Sequence, residues 1–169
     1  MRPDPFANVP LNEDIDTACS PAEPTDLRWT GIVINAPARA YLPGHEPVPD
    51  DQVAFGRIPV CGYGLVELLK IEEGVPMRLV AVDSHTGKRF DGPIVEPLLD
   101  HEVPAPEPDW EGREVDLTGQ AVGGYFNPNL NDFVQLPAVP ATYEVFILHG
   151  AYESNHVTIE VVPWDSARP

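Results

Sequence analysis

Proline sets the tightest limit on what this chain can fold into. Twenty-one of its 169 residues are proline, and only two stretches of helix-compatible spacing, Leu65–Glu73 and Asn129–Leu136, escape both proline and glycine. A proline ring clashes with the preceding helical turn and has no N–H for a β-ladder, so long helices and long unbroken central strands are excluded. What remains is a set of short elements punctuated by turns. Valine outnumbers leucine, 19 to 13, and β-branched side chains suit a pleated surface better than a helix. Together these features predict an all-β chain, a sandwich or barrel with at most one or two short helices.

A core can be built. Leu, Ile, Val and Phe number 46, above the roughly 20% level below which a strongly charged chain stays disordered. A transmembrane helix needs about 20 apolar residues, whereas the longest apolar runs, Leu79–Val82 and Val145–Leu148, have four. The net charge of −17 repels phosphate and leaves few cations to displace counterions, so nucleic acid is not an expected partner. Such acidity otherwise speaks for hydration and solubility, with a cation-steered surface as the functional alternative.

Residues 1–27 hold six acids, one arginine and five prolines, with neither a period of 2 nor of 3.6. They are expected to form an extended acidic arm. A single β domain is expected over 28–163, followed by a tail at 164–169. Strand candidates are Arg28–Ile34, Val53–Leu69, the hairpin Met77–Asp83 with Lys88–Val95, and Val115–Asn127. The link Ser84-His85-Thr86-Gly87 places Gly87 where a turn wants positive φ. Gly62 and Gly64 mark a bulge or a close backbone approach. Pro128 is positioned to enter a single helical turn at Asn129–Leu136. The clearest pattern is at the end. Tyr143, Val145 and Ile147, then Val157, Ile159 and Val161, alternate with outward positions on Thr142–His149 and Ser154–Val162, an antiparallel hairpin with one buried face.

The run Pro140-Ala141-Thr142-Tyr143-Glu144-Val145 resembles the start of strand F in immunoglobulin-like sandwiches, where a tyrosine two residues before the strand-F cysteine makes a corner. Ser154–Val161 resembles the closing strand G, and Asp83-Ser84-His85-Thr86-Gly87-Lys88 resembles turns of bacterial immunoglobulin-like modules. The resemblance implies an immunoglobulin-like antiparallel sandwich, with Tyr143 buried and its hydroxyl bonded to backbone near Leu136–Ala138. Val145 stands where antibody domains have a cysteine, so their inter-sheet disulfide is missing.

Cys19 and Cys61 are instead either one disulfide or two thiols, Cys61 buried and Cys19 exposed. The disulfide is favoured, because the arm has no other visible anchor. It carries with it a leaning towards an extracytoplasmic setting, if a leader was removed before Met1. A native Met1, followed by no apolar leader segment, argues for the cytoplasm.

Motifs for chemistry are absent. There is no Gly-x-Ser-x-Gly, no P-loop, no dinucleotide glycine pattern and no His-Glu-x-x-His. No cofactor is expected. His149 and His156 flank the last hairpin, and with Glu153 they are a candidate metal set. Asn127, Asn129, Asn131 and Asp132 offer oxygen ligands, but their spacing favours helix capping by Asn127 or Asn129. The acidic connection Pro97–Asp116 supplies carboxylates for a hydrolase or carbohydrate-active enzyme. Aromatic residues in or beside predicted loops, Tyr41, Tyr63, Tyr125, Tyr152 and Trp110, are the better lead, since rigid amphipathic rings anchor contacts, and Tyr63, Trp110 and Tyr152 are the candidates for ligand binding. The expected function is therefore a non-enzymatic module binding a protein, small-molecule or glycan ligand through these rings. The enzyme and the metal-carrying module are its rivals.

Overall fold

The computed structural model describes residues 4–42, 57–95 and 118–163. Nine strands follow in order: β1 (Gly31–Asn35), β2 (Arg39–Leu42), β3 (Cys61–Glu67), β4 (Arg78–Asp83), β5 (Arg89–Pro93), β6 (Ala121–Phe126), β7 (Ala141–His149), β8 (Tyr152–Glu153) and β9 (Val157–Pro163). Among the described residues, helix is confined to a 3-10 turn at Leu68–Lys70 and one four-residue helix, α1 (Leu130–Phe133). The all-β expectation holds. Of the two helix-compatible stretches, Leu65–Glu73 splits between the end of β3, where Leu65 and Val66 face opposite sides of the sheet, and the 3-10 turn at Leu68–Lys70.

The strands form two sheets, β1-β3-β6 and β2-β9-β7-β4-β5, with the short β8 attached to β7. Every pairing is antiparallel except β2 with β9. The chain thus leaves β1 in the small sheet, passes Pro37 and enters β2 in the large one. One apolar cluster lies between the sheets. Ile32, Ile34, Val66 and Phe126 come from the small sheet, and Leu79, Ala81, Tyr143, Val145, Ile147, Ile159 and Val161 from the large one. The period-2 pattern of the last hairpin holds for Tyr143, Val145, Ile147 and Ile159, which are at most 1% exposed, but Phe146, an outward position, is buried as well, beneath the His156 ring, and Val157 is only half-buried.

Two glycines have specific work. Gly62 lies under the Phe126 ring, where a Cβ would stand 2.1 Å from ring carbons, so only glycine lets the ring lie flat on β3 and close the core. Gly87 has φ +73° in the β4–β5 turn, as expected. The Gly87 amide donates to the Asp83 carbonyl at 2.8 Å. The Asp83 carboxylate accepts the amides of Thr86 and His85, which hold its pKa below the usual range.

The tyrosine corner is formed only in part. Tyr143 is buried, with Phe90 edge-on at 6.1 Å, but its hydroxyl has no hydrogen-bond partner among the described residues. The expected bond to Leu136–Ala138 is not made, because the ring is drawn inward among Phe90 and the core. Helix α1 does start after Asn129, yet the Asn129 side chain does not cap it. Its Oδ1 instead accepts the Ile58 amide at 3.0 Å, since a buried N–H of the neighbouring strand segment has the greater need.

The open edge of β1 meets the β8–β9 junction through one side chain. Asn155 accepts the Ile34 amide through Oδ1 at 2.8 Å and donates from Nδ2 to the Ile34 carbonyl at 3.0 Å.

Candidate functional site

The small sheet has two faces, and the parity of β3 assigns them. Gly62, Gly64 and Val66 point inward and are buried, whereas Cys61, Tyr63, Leu65 and Glu67 point outward. The outer face is divided between two occupants.

The first is the N-terminal segment. Cys19 and Cys61 lie at disulfide distance, with Cα atoms 5.8 Å apart, and both are buried with Val9 in a second small cluster that Phe6 and Leu11 flank. The segment is a string of turns, not an extended arm. Asp4, Ser20 and Asp26 side chains each accept a nearby backbone amide, the local bonding by which such residues bend a chain. Polar contacts fix it further. Asn127 Nδ2 donates to the carbonyls of Glu13 and Ile15, Asn12 bonds both the Asn129 amide and Asp132, and Asn35 donates to the Cys19 carbonyl. Arg57 donates to the Val9 carbonyl.

The second occupant is a row of aromatic rings. Tyr63 pairs with Val33 on β1 and with Tyr125 on β6 in register, so the two phenols stand side by side, with centroids 5.0 Å apart. Trp29 lies over Gly31 and stacks on Tyr63 at 6.1 Å with planes 23° apart. All three rings are half-buried. The Tyr63 hydroxyl donates to Glu23 Oε1 at 3.0 Å. Burial, then the bond and charge of Glu23, raise the Tyr63 pKa; burial, then the charges of Asp16 and Glu23, raise that of Tyr125. Leu27, two residues before Trp29, is 100% exposed.

The other sequence candidates are distributed differently. Tyr152 accepts the Glu67 amide at 3.0 Å and carries Lys70 over its ring, so it ties the end of β3 to β8 across the two sheets. Trp110 and the carboxylates of 97–116 lie outside the described residues. The proposed metal set does not assemble. His149 Nε2 turns to the Val75 carbonyl at 3.1 Å. His156 is held at both nitrogens, Nδ1 by Glu144 and Nε2 by Glu153 at 2.7 Å. A ring whose two nitrogens both donate to carboxylates has no lone pair for a metal. Among the described residues no group of three His, Cys, Asp or Glu is placed to hold one. The His156 ring also stacks on Phe146, centroids 4.2 Å apart, and the two carboxylates raise its pKa above the ordinary histidine value. Asn127, Asn129 and Asp132 are taken up in docking the N-terminal segment. No helix among the described residues is long and apolar enough to cross a membrane.

Trp29 escaped the sequence reading as a site residue, and Tyr125, one of the loop aromatics named there, was not joined to Tyr63. The signal was present in Gly-Tyr-Gly and Gly-Gly-Tyr, two tyrosines each beside glycines, but only the strand register puts them side by side. No protein-family model matches this chain, and neither a curated protein nor a solved structure does.

Proposed function

We propose that this protein is a non-enzymatic binding module on an immunoglobulin-like sandwich, and that it binds through the outer face of the small sheet. The single observation that carries this reading is the row Trp29–Tyr63–Tyr125. Three half-buried rings lie across one sheet face, and Leu27, two residues before Trp29, is fully exposed. Aromatic rings supply large contact area at small entropic cost and are enriched where partners dock. Exposed apolar groups next to them extend the contact. The strand order supports the immunoglobulin-like assignment: in β1-β3-β6 opposite β2-β9-β7-β4-β5, β1-β3-β6 corresponds to A-B-E and β9-β7-β4-β5 to G-F-C-C′, with β2 added in parallel beside β9.

The test is a screen of the immobilised protein against defined peptide and glycan panels, with the Tyr63→Leu/Tyr125→Leu double variant alongside. Saturable binding that falls at least tenfold in the variant, with its melting transition still cooperative, is the expected result. Ligands that bind both proteins equally would remove this face from the function.

A further inference from the structure

We infer that the occupant of the aromatic face is a cationic segment of a partner protein, anchored by arginine. The inference rests on the binding-module reading above. It turns on what surrounds the rings. The segment that borders them, residues 4–28, carries Asp4, Glu13, Asp14, Asp16, Glu23 and Asp26 against Arg28 alone. Glu23 is bonded to the Tyr63 hydroxyl, and both Glu23 and Asp16 act electrostatically on Tyr125. Aromatic rings attract cations through their faces, and carboxylates stand beside these half-buried rings, so the pairing of rings and carboxylates favours a cation. The whole chain, at −17, steers the same sign towards it.

Arginine fits better than lysine for geometric reasons. Ring centroids at 5.0 and 6.1 Å put the rings in contact with one another. Rings packed against one another in this way do not surround a compact ammonium on several sides as the walls of a cage would. A planar guanidinium stacks on such a surface within about 6 Å of a ring centroid and turns its N–H fork towards a carboxylate at the rim. Tyr63 uses Glu23 Oε1, and Oε2 of the same group faces no bond from the phenol. A neutral sugar also stacks on aromatic rings and its hydroxyls can donate to the rim carboxylates, but with no charge of its own it gains nothing from the net negative field that draws a cation.

The experiment measures binding of a fluorescein-labelled Gly-Arg-Gly-Arg-Gly-Arg peptide by polarisation, at two salt concentrations. It runs beside the lysine and the citrulline versions of the peptide and an array of neutral glycans. The arginine peptide is expected to bind at least tenfold tighter than the lysine peptide of equal charge, and the citrulline peptide not to saturate. Glu23→Gln/Asp16→Asn, which keeps the acceptor for Tyr63 and removes two charges, should weaken binding at least fivefold. Glu72→Gln/Glu73→Gln removes two charges elsewhere and should change it less than twofold. Equal affinity for arginine and lysine peptides, unaffected by Tyr63→Leu/Tyr125→Leu, would reduce the effect to bulk charge and overturn the inference. Ring-dependent binding of a neutral glycan, with none of the arginine peptide, would overturn the cationic partner while leaving the face as a binding site. The absence of ring dependence across both panels would overturn both.

Discussion

The two faces of the small sheet are covered by opposite means. Its inner face, through Ile32, Ile34, Val66 and Phe126, is closed by apolar contact with the large sheet. Its outer face is closed over Cys61 by a covalent link, amide side chains and backbone carbonyls, and over Tyr63 by rings that keep part of their surface in water. Apolar burial is non-directional and proportional to area, so the inner face tolerates sliding but not loss of volume. A disulfide with a few hydrogen bonds is the reverse. It fixes position with little area and fails at single points. One sheet thereby presents a face that defines the fold and a face whose cover can be removed without dismantling it.

The largest effect that tests this contrast is removal of the disulfide. The chain-entropy model gives about 4 kcal/mol for a closed loop of this size, the separation being 42 residues. Cys19→Ser/Cys61→Ser is expected to lower the urea midpoint by a corresponding amount and to expose residues 4–28 to limited proteolysis. The β-sheet circular dichroism should be retained. Loss of that signal would show that the cover is part of the core. Ile34→Ala, on the inner face at 1% exposure, should cost about 3 kcal/mol through lost burial and the cavity left behind, with no gain in proteolysis of the N-terminal segment. Asn127→Ala leaves the carbonyls of Glu13 and Ile15 without their donor and should cost about 2 kcal/mol. Unlike Ile34→Ala, it should free the N-terminal segment.

The large sheet has a polar cover of its own in His156, and it sharpens the comparison through pH. Its folded-state pKa is raised above the ordinary value. Its contribution is therefore complete below the ordinary histidine pKa of about 6.5 and is lost as pH rises through the raised, folded-state value. The ring is partly exposed, so solvent screens the effect. The difference in melting temperature between the protein and His156→Gln should be small, positive at pH 5.5, and smaller at pH 8.5. A difference that grew with pH would contradict the assignment. The smallest effect is expected for Tyr143→Phe. The hydroxyl has no partner among the described residues, so its removal breaks no hydrogen bond made there, and the unfolding free energy from urea melts should change by less than about 0.5 kcal/mol.

That last expectation reverses the one the sequence supports, and the reason is general. Alternation on β7 and β9 was legible because burial of one face imposes period 2 on the residue types. Gly87 was legible because a positive φ selects glycine. The pairing of Cys19 with Cys61 was legible because an acidic, proline-rich segment has little else to hold it. Whether Tyr143 reaches a backbone carbonyl depends on where the ring settles among Phe90 and its neighbours, and no local pattern encodes that. The same holds for the site. Tyr63 stood out beside its glycines, but its companions lie 34 residues before it and 62 after, and only register joins them. His149 and His156 look like a pair in sequence, yet they part because His156 lies within reach of Glu144 on the neighbouring strand.

The Asn155 carboxamide, bonded to both the amide and the carbonyl of Ile34, has a consequence for how this molecule behaves among its own copies. A free strand edge offers a template on which another chain can extend the sheet. At Ile34 that offer is withdrawn, since one side chain presents an oxygen and a nitrogen as a neighbouring strand would. The closure belongs to neither sheet alone, because Asn155 arrives from the β8–β9 junction. A half-formed molecule in which the small sheet has assembled without the last hairpin still carries the open edge. Self-association is thus a hazard of incomplete folding, and the finished sandwich seals this point against it.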